Sequence, residues 1–260
     1  MSKLKVGVSM LYCLGEPFNR MVKRLGKMET KNIEILDDGT HDLNRARIAQ
    51  LREAAKTFGL TYSLHAPFAD INISSPVKPM LDASMKRLMQ SLKNARDMDA
   101  KIWVFHPGQR TGISQFYPDA DFQTMCQSIQ QLYAEAEDYG INIALENLPH
   151  KYWFLMSTPQ EFQKFYKETK LPIGITLDLG HANLEGQVQP FVNQLADKIV
   201  HIHASNNDGS DDQHNGVEDG NIDYVWFSDE LKKIGYDKTV VVESMHKVSE
   251  SIAKLKQLLV

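Results

Sequence analysis

Eight short, β-branched apolar runs alternate with longer amphipathic stretches from one end of this 260-residue chain to the other. The runs are Lys5–Met10, Asn32–Leu36, Thr61–His65, Lys101–His106, Asn142–Glu146, Ile173–Asp178, Ile199–His203 and Thr239–Glu243. Their near-continuous apolar character is that of parallel strands covered on both faces. Between them, Leu43–Phe58, Leu81–Met98, Phe122–Tyr139, Thr158–Lys167, Tyr224–Ile234 and Val248–Leu259 repeat apolar residues every three or four positions, as a helix with one buried face requires. Glu16–Lys27 and Phe191–Ala196 carry the same pattern more weakly. Eight strand–helix units fit a closed barrel better than an open sheet. The first strand also lacks the Gly-x-Gly-x-x-Gly turn of a dinucleotide fold. The spacing therefore predicts an α/β protein, one (β/α)8 barrel domain over residues 1–260, the usual length for such a unit.

Six of the eight runs end in a potential metal ligand: His65, His106, Glu146, Asp178, His203 and Glu243. In a parallel barrel the strand C-termini converge on one face, where active sites are built. Carboxylates gathered there repel one another unless a cation neutralises them. Mixed imidazole and carboxylate donors suit Zn2+, Mn2+ or a similar divalent ion. Three more donors join by spacing. Asp178-Leu-Gly-His181 places His181 just past the sixth strand, and Asp212-Gln-His214 puts two donors on one side of an extended segment. His201 points the same way as His203, so either of the two could be the ligand on that strand.

Composition excludes some partners. Net charge is −4, with 24% charged and 42% hydrophobic residues, so nothing overall draws the chain to nucleic acid or an anionic membrane. No run approaches the ~18 apolar residues of a membrane span, and Met-Ser-Lys-Leu-Lys leads straight into a strand without a leader-like apolar region. A cytoplasmic location with no membrane partner is expected. Cys13 and Cys126 have no ligand-like spacing and read as free thiols.

The motifs His65-Ala-Pro-Phe68, Phe105-His106-Pro-Gly, Leu145-Glu146-Asn, Leu177-Asp178-Leu-Gly-His181, His203 with Asp212-x-His214, and Val242-Glu243-Ser occur in that order. Together they resemble the xylose isomerase-like TIM-barrel superfamily over nearly the whole chain. That superfamily includes sugar and sugar-phosphate isomerases and epimerases, and also endonuclease IV (AP endonuclease family 2). Likeness to the isomerases implies one divalent ion on Glu146, Asp178, His203 and Glu243. Glu146 and Glu243 would then be the catalytic pair, moving a proton beside the carbonyl through a metal-stabilised enediolate. Likeness to endonuclease IV implies that all nine donors hold three zinc ions, which cleave a phosphodiester at abasic sites in DNA.

Only Asp212 and His214 discriminate well between these chemistries, and they favour the trinuclear one. The loops argue the other way. Asp37, Asp38, Asp42, Asp70, Asp208, Asp211, Glu218, Asp219 and Asp223 are expected to form an acidic rim that repels a duplex. A small carbohydrate is therefore the expected substrate, with DNA disfavoured, and one to three Zn2+ or Mn2+ ions are the expected cofactor. Arg110 is the best phosphate or carboxylate anchor, with a surface salt bridge as its plainer role. Phe68 and Trp153, with Tyr152, could stack on a sugar ring or simply pack their loops.

Overall fold

The computed structural model describes residues 4–260; the three residues before Leu4, part of the segment read for a leader, lie outside the described residues. Strands β1 (Lys5–Ser9), β2 (Asn32–Leu36), β3 (Thr61–His65), β4 (Trp103–Phe105), β5 (Ile143–Glu146), β6 (Gly174–Asp178), β7 (Ile199–Ala204) and β8 (Thr239–Val242) pair in chain order. Every pairing is parallel and β8 closes on β1, a TIM barrel. Around it run α1 (Phe18–Leu25), α2 (Arg45–Phe58), α3 (Lys78–Asp97), α4 (Ala120–Tyr139) and α5 (Pro159–Thr169). They are followed by α6 (Leu179–Leu184), α7 (Val188–Leu195), α8 (Tyr224–Lys233) and α9 (Val248–Leu259).

Local chemistry sets these limits. Asn44 starts α2 by accepting from the Ala46 and Arg47 amides, and Asp223 does the same for Val225 and Trp226 at α8. Gly140 stops α4 at φ 66°, a conformation that costs glycine nothing. The short α6 is not foreseen from its sequence, because a Gly and an Asn break the apolar pattern. It forms because Asp178 Oδ1 accepts from the His181 amide at 2.6 Å.

Strand residues alternate between two cores. On β2, Ile33 and Ile35 are buried in the same apolar cluster as Leu51, Leu88 and Leu92 of the helices. Each such side chain contributes about 1.5–3 kcal/mol. Glu34, between those isoleucines, is buried inside the barrel against β7. The interior is polar along much of its length: Ser9, Glu34 and Ser63 stand in register across β1, β2 and β3, and Asp178 pairs with His203 across β6 and β7. No helix among the described residues is long and apolar enough to cross a membrane, and both cysteines are free and buried.

Candidate metal centre

Closing the barrel brings all nine sequence-predicted donors to the C-terminal mouth. They fall into three sets, His65–His106–Glu146, Glu146–Asp178–His203–Glu243 and His181–Asp212–His214, each with one donor atom per residue within 4.8 Å of the others. Glu146 belongs to two sets. Its Oε2 lies 3.3 Å from His65 Nε2 and 3.4 Å from His106 Nε2, and its Oε1 lies 3.1 Å from His203 Nδ1. His203 Nδ1 is also 3.0 Å from Glu243 Oε2 and 3.8 Å from Asp178 Oδ2. Asp212 Oδ2 is 3.3 Å from His181 Nε2 and 3.1 Å from His214 Nε2.

The imidazoles are turned as ligands would be. His65 Nδ1 lies 2.8 Å from the Ala66 carbonyl, His181 Nδ1 3.0 Å from the Asn147 carbonyl and His214 Nδ1 2.9 Å from the Glu243 carbonyl. A carbonyl only accepts, so each Nδ1 carries the proton and each Nε2 faces the carboxylates. His203 is reversed: its Nε2 meets Glu34 Oε1 at 2.9 Å, an ion-pair contact off the hydrogen-bond line, and Nδ1 faces the mouth. This separates the two histidines of β7. His203 reaches the carboxylates, whereas His201 points its Nε2 at Glu34 Oε2, 2.9 Å away.

The donor set fits a divalent cation. Glu146 Oε2, Asp178 Oδ2 and Asp212 Oδ1 are buried without a hydrogen-bond partner, a costly state that a cation would relieve. Protonated histidines carry part of that load in the metal-free protein. Burial, the largest influence, pulls His65 and His214 down, but Glu146 chiefly lifts His65 and Asp212 lifts His214, each to about 9. Burial acts likewise on His181, which Asp178 and Asp212 raise to about 10. Asp178 is pushed up to about 7 by burial, then held back by His181. Burial opposes the charge on Glu146 and Asp212, yet the surrounding histidines hold both well below the usual carboxylate range.

Beside the donors lies a cavity of about 330 Å³, lined also by Leu11, Leu36, Phe68, Leu148, Phe154 and Met245. Neither Lys nor Arg lines it. A larger cavity of about 650 Å³ opens at the other mouth of the barrel, where Ser63 and His201 line it and none of the nine donors does.

Of the other predicted site residues, Phe68 lines the smaller cavity, edge-on to His65 and stacked on His106. Arg110 is outside the lining and is committed to Asp121 at 3.3 Å and Glu161 at 3.5 Å. Trp153 is 60% exposed and outside the lining, and Tyr152 reaches the cavity instead. Glu34 is the residue that reading strand ends misses. Its signal was an acid midway along an otherwise apolar strand.

The expected acidic rim needs correcting. Asp37 is fully buried and salt-bridged to Arg87 at 2.8 Å. Asp42 pairs with Arg47, Asp211 with Lys151, Glu218 with Lys254 and Asp219 with Lys247. Asp38 accepts from the Phe68 and Ala69 amides at 2.8 and 2.9 Å, holding the loop that carries Phe68. Six of the nine acids are thus paired with a cation or tied to loop amides, so the rim is less open than the sequence implies. Asp38→Ala is expected to cost about 1–3 kcal/mol in urea unfolding, because the Phe68 and Ala69 amides, and that of Gly39, lose their acceptor. An unchanged midpoint would mean that the loop does not depend on it.

The chain belongs to the xylose isomerase-like TIM-barrel family, whose sequence pattern matches residues 23–258. It is similar to an uncharacterised protein of Methanocaldococcus jannaschii, MJ1311, at 31% identity over 245 residues, 93% of this chain and 84% of that one. A solved structure described as a D-tagatose 3-epimerase-like protein superposes with a TM-score of 0.92 at 30% identity, covering 98% of this chain and 97% of that chain. A "probable endonuclease 4" of Aquifex aeolicus is 23% identical over 197 residues, 69% of this chain and 68% of that protein.

Proposed function

We propose that the chain is a divalent-metal-dependent isomerase or epimerase acting on a small carbohydrate. The observation that carries this reading is the placement of Glu146 and Glu243, 3.1 and 3.0 Å from His203 Nδ1, at the base of a cavity of about 330 Å³. That volume is at the small end of ligand pockets and suits one sugar unit rather than a duplex. A divalent ion on Glu146, Asp178, His203 and Glu243 would polarise a substrate carbonyl and acidify the neighbouring C–H. Glu146 and Glu243 then act as the pair that removes a proton at that carbon and returns one. Asp178 and His203 hold position, and the apolar wall keeps bulk water from the carbanionic carbon. The likeness to a D-tagatose 3-epimerase-like protein supports the same chemistry. The two free, buried thiols fit a reducing cytoplasm.

A second reading is an endonuclease IV-like hydrolase with three zinc ions, acting at abasic sites in DNA. The specific observation behind it is the pair of flanking donor sets, because proton transfer does not require the His181–Asp212–His214 triad. Metal content of protein purified without chelator separates the two. Close to one manganese, cobalt or magnesium ion per chain is expected, with solvent deuterium entering a ketose beside its carbonyl. Close to three zinc ions, with abasic-site cleavage that collapses in Asp212→Ala, would replace the first reading with the second.

A further inference from the structure

Beneath the nine donors the barrel interior holds another polar layer, which the proposed chemistry does not use. Its centre is Glu34, fully buried on β2. Oε2 accepts from Ser63 Oγ at 3.0 Å and meets His201 Nε2 at 2.9 Å. Oε1 faces His203 Nε2 at 2.9 Å. An ionised carboxylate only accepts, so His201 turns a protonated Nε2 towards it in a hydrogen bond, while His203 Nε2 meets Oε1 in an ion-pair contact off the hydrogen-bond line, where a proton is favoured over a lone pair. For His203 this leaves Nδ1 between Glu146 and Glu243. His65, His181 and His214 are each fixed by a backbone carbonyl, whereas the outer nitrogen of His203 faces a side chain.

We propose that Glu34 is the positioning residue of the central donor set: it keeps the His203 proton on Nε2 and so aims Nδ1 at the ion, while Ser63 and His201 hold Glu34 in place. This rests on the reading of the mouth as a metal centre, under either chemistry. A partner of this kind raises the basicity of a ligating imidazole and fixes its tautomer. Glu34, His201 and His203 also lie close enough to hold an ion of their own. That use conflicts with the centre, because His203 would have to give up the proton on its second nitrogen as well.

The test combines metal affinity with the state of one ring nitrogen. In the zinc-loaded wild-type protein, 15N NMR is expected to show His203 bound through Nδ1, with an exchange-protected Nε2–H shifted downfield. Glu34→Gln, almost the same shape, is expected to weaken the central ion about 10–100-fold in competition with a chelating dye. Binding at His181–Asp212–His214, where an ion is held there, is expected to stay unchanged, which general destabilisation would not produce. His201→Gln is expected to weaken the central ion less. Unchanged affinity in Glu34→Gln, or His203 bound through Nε2, would overturn the assignment. So would an ion located by anomalous scattering between Glu34 and His201. The NMR arm uses wild-type protein, so a variant that fails to fold does not remove the test. Wild-type protein that takes up no divalent ion would sink the metal centre itself, and with it this role for Glu34. Loss of turnover with metal binding intact would touch only the proposed reaction.

Discussion

Zinc added to the metal-free protein at pH 7 is expected to displace about four or five protons if all three donor sets fill, and one or two if only the central set does. The count follows from which donors hold protons without metal. His65 and His214 sit at about 9, His181 at about 10 and His203 well above its ordinary value, so these four are protonated at neutral pH. Only His203, and part of Asp178 at about 7, belong to the central set. Calorimetry in two buffers of different ionisation enthalpy measures the number directly, and no displaced proton would contradict the protonated donor set. The sign of the pH dependence follows. Histidine groups raised above their unfolded value of about 6.5 stabilise the metal-free fold fully below that pH and lose this contribution as pH climbs through 9 to 10. Metal affinity moves in the opposite direction, because fewer protons remain to displace. The rise in melting temperature on adding metal should therefore grow between pH 6.5 and 9, and a shift independent of pH would refute the assignment.

Glu243→Gln is expected to lower turnover by about 10²–10⁴-fold, the usual share of a positioned acid or base. The substitution keeps side-chain length, and the Glu243 amide still donates to the Ala204 carbonyl at 3.0 Å, so the loss belongs to the carboxylate. Glu146→Gln should fall by a similar factor, and the double variant by much less than the product, because the two act as a unit on one carbon. The decisive measurement is deuterium exchange beside the substrate carbonyl with metal content checked in the same sample. Exchange that persists in both single variants would end the proton-transfer reading.

The barrel was legible because parallel strands covered on both faces have few alternatives to near-continuous apolar runs. Strand ends were less so. His106 and Glu243 lie just beyond β4 and β8, where the backbone leaves the ladder and turns the side chain into the mouth. Six of the nine donors were readable as strand-end chemistry and three from loop spacing, but the turn of the rings was not, since for His65, His181 and His214 it depends on carbonyls that only the fold brings near. The acidic rim misled for a related reason. Asp37, just past β2, is neutralised by Arg87, fifty residues further on in α3, and composition cannot show that pairing. Arg110 takes the plainer of its two expected roles, a salt bridge, with Glu161 of α5 and Asp121 as the partners that the sequence does not identify. Glu34 went unread because attention to strand ends passes over an acid at a strand centre.

The two oxygens of Glu146 face different donor sets, Oε2 towards His65 and His106 and Oε1 towards His203. Were ions to occupy both sets, neither oxygen would be left to receive a proton from carbon, and the residue would serve only as a bridge. With the outer set vacant, one oxygen is free to act as a base.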